Sequence, residues 1–315
     1  MTALSIFLAL AAAFALAACF YPALALGPRG RVVCACVLGI GIALTPLLVP
    51  ADSRFTRLVV ACLAASYAMK LIDLHFGALR GRRVDFRSFL AFLANPLQLV
   101  QRRIGDELQP AANANRRDWL RSLAGLLLTI AVLRLTGLVD WSAWPFLLEH
   151  AVRASLVFLM VLFLFQQLAA LARMTGAYVI DPEDRPFLAR TPAQFWRRYN
   201  RWVSQFLQED VFMPLGGRRH PVRGMMAVFA LSGLGHEYVF YMATGRVQGY
   251  QMAFFLLQGV AVVATLRVKP KGRAALAWGA GTWTFNLLSS VLFFASVQGV
   301  WPIYPTGLPA WFPGW

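Results

Sequence analysis

Long apolar runs separated by short polar segments dominate the pattern of hydrophobic positions along this chain. Each run approaches the ~20 residues that a helix needs to cross the hydrocarbon core of a bilayer. Because an unpaired backbone group is costly in lipid, each run is predicted to be a membrane-spanning helix. The predicted spans are residues 3–26, 32–50, 58–75, 119–139, 152–172, 223–243, 249–266 and 274–298.

The composition agrees with a membrane protein. Of the 315 residues, 59% are hydrophobic and 14% are charged, whereas a soluble domain is about 45–50% apolar with about a quarter of its residues charged. The first run has the length of a signal peptide, but it lacks a basic n-region and runs too long, so it is interpreted as a span. We therefore predict an all-α polytopic bundle of about eight spans, forming a single membrane-embedded domain over residues 1–315.

The distribution of basic residues predicts the orientation in the membrane. Arginine and lysine concentrate in alternate loops, which are segments 27–31, 76–118, 173–223 and 267–273. By the positive-inside rule these four loops are cytoplasmic and both termini lie outside, as expected for a multi-pass protein of the cell's inner (cytoplasmic) membrane. The two longest loops also carry bulky apolar residues, which predicts amphipathic helices on the inner membrane surface. These residues are Phe86, Phe89, Leu90, Phe92, Phe195, Trp196, Trp202 and Phe206.

The net charge of +16 bears on the expected partners and not on the predicted fold. In a soluble protein it would suggest binding to nucleic acid, but in a membrane protein it reflects cytoplasmic loops that face anionic lipid. Nucleic acid is therefore not expected as a partner, and membrane lipid is. The four cysteines lie in predicted spans without C-x-x-C or zinc-ligand spacing, so neither a metal site nor a disulfide framework is indicated. They are Cys19, Cys34, Cys36 and Cys62.

An amphipathic helix is predicted to precede the sixth span. Thr191 is a good N-cap, Pro192 suits the first turn, and Gln194 completes a capping-box pattern. At 100° per residue one face is apolar and the opposite face is basic, with Asn200 at the border. The apolar face holds Phe195, Trp196, Tyr199, Trp202, Val203, Phe206 and Leu207.

Two interpretations of the basic face stay open. The arginines either snorkel to the membrane surface as an anchor, or they form a rim that binds the phosphates of an anionic cosubstrate, because guanidinium groups suit phosphate oxygens. The candidate phosphate-binding residues are Arg197, Arg198, Arg201, Arg218 and Arg219, with Arg223 beside them.

The sixth span contains the adjacent ionisable residues His236 and Glu237. Ionisable residues within a span are rare and usually face a cavity or a partner. His236 lies roughly 20 Å along the helix from Arg223, beyond the midplane of the bilayer core. A neutral imidazole there can act as a base. The small residues Ser232, Gly233 and Gly235 before it leave room for a neighbouring helix or a substrate. The alternative interpretation is that His236 and Glu237 are a buried pair that fixes helix packing.

The other histidines are less promising. His75 and His150 lie near predicted span ends and His220 lies in a basic loop. Each is expected to be interfacial and not catalytic.

Together these two segments resemble the membrane-bound O-acyltransferase superfamily, and within it the wax synthase-like branch. The family's F-W-x-x-x-[NH] segment corresponds to Phe195-Trp196-Arg197-Arg198-Tyr199-Asn200, and its S-G-x-x-H-E segment corresponds to Ser232-Gly233-Leu234-Gly235-His236-Glu237. The specific match covers residues 191–241. The Tyr-Asn pair departs from the Trp-Asn or Trp-His of many relatives, which affects the subfamily and the alcohol more than the reaction.

The resemblance implies an acyl-CoA cosubstrate, no other cofactor and a lipophilic alcohol as acceptor. It makes His236 the catalytic base, Asn200 the second polar residue of the site and Glu237 a supporting group. A fatty alcohol is the first choice of acceptor, and a sterol, diacylglycerol or specialised metabolite would need a similar tunnel.

Two other functional classes fit the sequence less well. A transporter would use His236 and Glu237 as a proton relay, but no inverted repeat accompanies them. A prenyltransferase would need two aspartate-rich motifs for magnesium and diphosphate, and only the acidic turn at 181–184 is present.

Overall fold

The computed structural model describes residues 2–310 and 312, and helices alone make up its regular secondary structure within that part of the chain. The α-helices are α1 (Thr2–Ala18), α2 (Pro28–Leu44), α3 (Arg54–Leu79), α4 (Phe86–Ala94), α5 (Ala112–Leu135), α6 (Phe146–Met174), α7 (Pro192–Arg198), α8 (Arg201–Phe206), α9 (Pro221–Thr244), α10 (Tyr250–Thr265) and α11 (Gly272–Gln298). A π-helix, Leu207–Phe212, follows α8 directly.

All eight predicted spans coincide with helices, and the all-helical prediction is confirmed. Among the described residues, six helical segments are long and apolar enough to cross a membrane, so the chain is an integral, multi-pass membrane protein. Helix α10 is apolar but shorter. Helix α9 is long enough, but His236 and Glu237 interrupt its apolar stretch and lower its mean hydropathy. The segments that qualify are Ala3–Ala25, Pro28–Leu48, Arg54–Leu79, Ala112–Leu138, Phe146–Met174 and Gly272–Gln298.

The chain divides into two compact units, each made of two separate segments. The first unit is Met1–Asp106 with Gln205–Val247, and the second is Glu107–Ser204 with Gln248–Trp315. The first therefore contains α1 to α4 and α9, and the second contains α5 to α7, α10 and α11. A single domain over residues 1–315 stays a prediction.

In the first unit the short helix α4 packs into the protein core. Asp85 caps its start by accepting a hydrogen bond from the Ser88 backbone N–H at 3.0 Å. Phe89 and Phe92 are buried in a cluster with residues of α1 and α3, so these aromatic side chains of the amphipathic helix contact protein. The fully buried Lys70 of α3 caps the C-terminus of α4, since its ammonium donates hydrogen bonds to the backbone carbonyls there. Its Nζ lies 2.8, 3.0 and 2.7 Å from the oxygens of Phe92, Leu93 and Asn95.

A buried ion-pair cluster ties α3 to the π-helix that leads towards α9. The Arg102 guanidinium lies 3.0 Å from a carboxylate oxygen of Asp73 and also pairs with Asp210. The second oxygen of Asp73 accepts a hydrogen bond from the Gln101 backbone N–H at 2.8 Å. Buried charges persist only where they are paired, so this cluster fixes the place of the π-helix within the first unit.

The second unit is centred on the antiparallel neighbours α5 and α6. A Cβ atom at Gly125 would lie 2.5 Å from the Phe163 ring, so glycine allows this close approach. His150, near the start of α6, is fully buried in the protein, and its place at the membrane interface stays a prediction. Its Nδ1 lies 2.7 Å from the Tyr304 hydroxyl and its Nε2 lies 2.8 Å from the Leu287 carbonyl, which explains how an imidazole is tolerated in this core.

Replacing Arg102 with Met should destabilise the protein by about 3–5 kcal/mol, because Asp73 and Asp210 would remain buried without a cation. The change should lower the thermal unfolding midpoint in detergent by roughly 10 °C. Arg83→Met is the control, since Arg83 is exposed. Equal midpoints for the two variants would contradict a stabilising role for the cluster.

Candidate active site

His236 lies on α9, in the first unit, and its own helix orients the ring. The Nδ1 atom lies 2.8 Å from the backbone carbonyl oxygen of Ser232, one turn earlier. A carbonyl oxygen only accepts, so Nδ1 carries the proton and donates it. Nε2 is then the nitrogen of the neutral ring that accepts a proton, as a general base requires.

The backbone beside His236 leaves space. A Cβ atom at Gly235 would meet no other atom within 4 Å, which agrees with the room predicted from the small residues before the histidine. Nearer the start of α9, a Cβ atom at Gly224 would lie 2.5 Å from the Phe212 ring. One glycine thus opens space near the imidazole, and the other lets α9 pack closely against the π-helix.

Helix α9 is held against α2 and α3 of its unit. Val239 and Met242 pack against Ala61 of α3. The Tyr238 hydroxyl donates a hydrogen bond to the Ala43 carbonyl oxygen of α2 at 2.9 Å. Because Tyr238 and Val239 closely follow His236, these contacts fix the depth and rotation of the candidate base. Glu237 is partly buried at the next position, and its supporting role stays a prediction.

The predicted start of the helix in the second unit is confirmed. Thr191 is fully buried, and its hydroxyl accepts a hydrogen bond from the Gln194 backbone N–H at 3.2 Å. The Gln194 side chain accepts in return from the Arg190 backbone N–H at 3.0 Å. This exchange satisfies backbone donors that the first turn leaves unpaired.

The prediction of one continuous amphipathic helix through this segment is wrong. Helix α7 ends at Arg198, and Asn200 has a left-handed backbone with φ of 45°. The loop at residues 182–184 bonds to the backbone on both sides of the break: the Asp184 N–H donates to the Arg198 carbonyl at 2.8 Å, and the Arg201 N–H donates to the Pro182 carbonyl at 2.7 Å. Asparagine tolerates this backbone region better than most residues.

Asn200 itself has a structural role at this break. Its side-chain oxygen accepts a hydrogen bond from the Val203 backbone N–H at 3.4 Å, which caps α8. A direct part in chemistry stays a prediction.

The aromatic residues of the segment anchor α7 within the second unit. Phe195 stacks on Tyr199 with ring centroids 5.4 Å apart and meets Trp283 of α11 edge-on at 5.6 Å. The Trp196 Nε1–H donates to the Gln258 side-chain oxygen at 2.9 Å, and the Gln258 amide donates to the Ser289 hydroxyl at 2.8 Å. The two aromatic positions therefore dock α7 on α10 and α11.

The five arginines predicted to bind phosphate are divided between the two units. Two of them, Arg198 and Arg201, already bond to acidic residues or their backbone. Arg198 donates to the Asp184 carbonyl at 2.9 Å, and Arg201 forms an ion pair with Glu107. Arg197, in the second unit, is exposed, as are Arg218 and Arg219 in the first. Their phosphate-binding role stays a prediction. Arg223 donates to the Leu215 carbonyl at 2.9 and 2.6 Å, which shapes the turn before α9.

Comparison with known protein families shows which family this chain belongs to. The model of the membrane-bound O-acyltransferase family (MBOAT) matches residues 79–298. The chain belongs to this family. The match includes both the Phe195–Asn200 segment and His236, so the resemblance noted from these residues is confirmed.

The relatives refine the position within the family. The chain is 32% identical over 162 residues to a probable long-chain-alcohol O-fatty-acyltransferase 3 of Arabidopsis thaliana, covering 47% of this chain and 46% of that protein. It is 29% identical to an acyl-CoA–sterol O-acyltransferase 1 of the same plant, over 44% and 41% of the two chains. It is 34% identical to a long-chain-alcohol O-fatty-acyltransferase of Simmondsia chinensis, over 32% of each. The chain thus spans less than half the length of the curated relatives it matches, and these relatives give the transporter alternative no support.

One acidic residue of this MBOAT chain, Glu183, is enclosed by the fold in a way that the sequence pattern does not indicate. Glu183 belongs to the turn that breaks α7 from α8, and one of its carboxylate oxygens is enclosed without a hydrogen-bond partner. Burial, with a smaller effect from the nearby Asp181 carboxylate, raises the pKa of Glu183 to about 8. Burial and the Glu183 charge also raise the pKa of Tyr199. The only sequence signal was the acidic run itself, which gives no measure of burial.

The raised pKa of Glu183 predicts a pH dependence of stability. The folded state holds this proton between the ordinary carboxyl pKa and about pH 8, whereas the unfolded chain has released it. Stability should therefore fall as pH rises through this window. Glu183→Gln should match the wild-type unfolding midpoint near pH 4 and exceed it increasingly up to about pH 9, as the wild-type carboxyl ionises. Asp184→Asn is the control, and a constant difference between Glu183→Gln and wild type would contradict the assignment.

Proposed function

We propose that this protein transfers a fatty-acyl group from acyl-CoA to the hydroxyl of a long-chain alcohol, with His236 as the general base. The observation that carries the proposal is the tautomer fixed by Ser232, which makes Nε2 the basic nitrogen of a partly buried imidazole in an MBOAT chain. The similarity to long-chain-alcohol O-fatty-acyltransferases supports the choice of acceptor. The similarity to a sterol O-acyltransferase makes a sterol the second candidate.

The proposed reaction needs one base and two substrates held together. Nε2 of His236 takes the proton of the alcohol, and the alcohol oxygen attacks the thioester carbonyl. The C–S bond breaks, an ester forms, and the CoA thiolate leaves and recovers the proton from the imidazolium. A general base contributes roughly 10²–10⁴-fold to such a step, and holding both substrates in place supplies much of the remainder.

The remaining polar residues have supporting roles in the proposal. Asn200 lies at the break between α7 and α8, and its amide group is the proposed second polar group of the site. Glu237 supports the neighbouring histidine. Acyl-CoA is a cosubstrate, and the proposed steps need no other cofactor.

The proposed orientation places the four arginine- and lysine-rich loops in the cytoplasm and both termini outside, in the inner membrane of the cell. Acyl-CoA then approaches from the cytoplasm and the alcohol from the bilayer. The exposed Arg197 lies on one of these loops and is proposed to contact the phosphates of CoA.

Replacing His236 with Ala should lower ester formation by about 10²–10⁴-fold, because no base remains to take the alcohol proton. The assay incubates membranes with labelled acyl-CoA and a mixed pool of long-chain alcohols and sterols, and it separates the labelled esters. His220→Ala is the matched control, since His220 is an exposed histidine in a loop.

The same assay identifies the acceptor, because only the true acceptor yields a labelled ester. Normal activity of His236→Ala at normal expression would end the proposal for this residue. No ester from any alcohol or sterol with the wild type would end the proposed reaction.

Replacing Arg197 with Gln should raise the KM for acyl-CoA by about tenfold with little change in kcat, because a phosphate contact far from the reacting atoms contributes binding alone. Steady-state kinetics in membranes at varied acyl-CoA measure both constants. Arg116→Gln is the control, since Arg116 is also exposed in the same unit. An unchanged KM would remove Arg197 from the donor site.

A further inference from the structure

Positive charge is concentrated at one end of the second unit. Residues 185–204 and 248–315 belong to this unit and together hold nine arginines and lysines and no aspartate or glutamate. Four of these cations lie in and beside the loop between α10 and α11, and a fifth precedes α7. All five are exposed. We call them the basic cluster, which is Arg190, Arg267, Lys269, Lys271 and Arg273.

Contacts within the second unit join the two segments that carry the basic cluster. A terminal nitrogen of Arg190 donates a hydrogen bond to the Pro270 carbonyl oxygen at 3.4 Å, so this arginine lies against the loop between α10 and α11. Three residues earlier, the Phe187 ring stacks on Trp283 of α11 with ring centroids 5.6 Å apart. Residues 187–190 therefore lie along the loop and the first turns of α11, and the five cations share one surface.

The charges of the basic cluster are not neutralised by the protein. None of the five cations pairs with a carboxylate among the residues that the structure describes, whereas Arg103, Arg173 and Arg201 each do. Like charges gathered on one surface repel each other, and bound anions relieve that repulsion. The surface therefore fits an anionic partner.

Exposed apolar side chains lie next to the cations. Leu188 and Leu276 are more than half exposed, and Trp278 is 41% exposed. Trp278 lies roughly 9 Å along α11 from Gly272, and each headgroup layer of a bilayer is about 5–8 Å thick. When the cations lie among the headgroups, the Trp278 ring lies at the edge of the hydrocarbon core, where tryptophan is enriched. A phospholipid would contact both the cations and the apolar residues, whereas a soluble anion would contact the cations alone.

We propose that the basic cluster binds anionic phospholipid, with lipid phosphates at the five cations and acyl chains against Leu188, Leu276 and Trp278. Helix α11 is long and apolar enough to cross the membrane, so the loop before it lies at a membrane surface. In the proposed orientation this surface is the cytoplasmic one, whose anionic lipids attract polybasic segments. The site is separate from the proposed acyl transfer, since it includes neither His236 nor Arg197.

The test measures lipid binding to the full chain in a nonionic detergent. A fluorescent phosphatidylglycerol is titrated with the protein, and unlabelled lipids compete with it. Phosphatidylglycerol should displace the probe at a concentration at least about tenfold lower than phosphatidylcholine, which has no net charge. Raising the salt concentration from about 50 mM to about 500 mM should weaken the binding, because salt screens exposed charges.

A triple variant removes most of the loop's charge. Lys269→Gln, Lys271→Gln and Arg273→Gln together should weaken binding of the probe by at least about tenfold. Replacing both lysines with arginine should retain the binding, because either cation attracts a phosphate. The thermal unfolding midpoint of each variant shows whether it is folded, and the arginine variant tests the site even where the triple variant is not.

A matched triple variant separates a site from general charge attraction. It removes three exposed arginines from the first unit and so changes the net charge of the protein by the same amount. Binding of the probe should stay within about twofold of the wild type. The changes are Arg82→Gln, Arg83→Gln and Arg87→Gln.

The apolar part of the proposed site has its own test. Trp278→Ala should weaken binding of the probe severalfold, because the acyl chains lose their contact with the ring. Trp144→Ala is the control, since Trp144 is an exposed tryptophan of the same unit, in the segment before α6. It should bind the probe as the wild type does.

Three results would overturn the proposal. The first is displacement by phosphatidylcholine as effective as by phosphatidylglycerol. The second is equal weakening by the two triple variants, which would show a response to net charge alone. The third is displacement of the probe by free CoA at the same concentration as phosphatidylglycerol, which would make the surface a nucleotide site. None of these results bears on ester formation by His236.

Discussion

The need to pair every polar group that a membrane helix buries controls this structure. Lys70 is fully buried because the carbonyls at the end of α4 satisfy its ammonium. Arg102 is buried because Asp73 and Asp210 flank it. In each case the polar contact joins elements that are distant in sequence, so the cost of burying a charge becomes a constraint on helix packing.

The candidate base follows the same rule locally. Ser232 supplies the carbonyl that holds Nδ1 of His236, so the ring is oriented by its own helix and needs no second element for that purpose. The wider fold then positions the helix, through Tyr238 on Ala43 and through the packing of α9 on α3. A base of fixed tautomer on a fixed helix is what proton transfer at one defined atom requires.

The aromatic segment before α9 has a mainly architectural role. Phe195 and Trp196 dock α7 on α10 and α11 by ring contacts and by the hydrogen bond to Gln258. Asn200 adopts the left-handed conformation at the break and caps the next helix. The residue types at these positions therefore have a physical reason, since large aromatic rings stabilise the docked helix by packing and the break needs a residue that tolerates positive φ.

The sequence by itself determined the features that depend on local periodicity and composition. These are the eight long helices, the cap at Thr191, the alternation of basic loops and the presence of His236 within an otherwise apolar helix. The tertiary structure decided where distant segments meet. It broke the helix at Tyr199 and Asn200, because residues 182–184 compete for its backbone hydrogen bonds. It also bonded Arg198 to Asp184, paired Arg201 with Glu107 and enclosed Glu183. Each depends on contacts between residues far apart in the chain, and the pattern along one helix carries no record of which neighbour covers it.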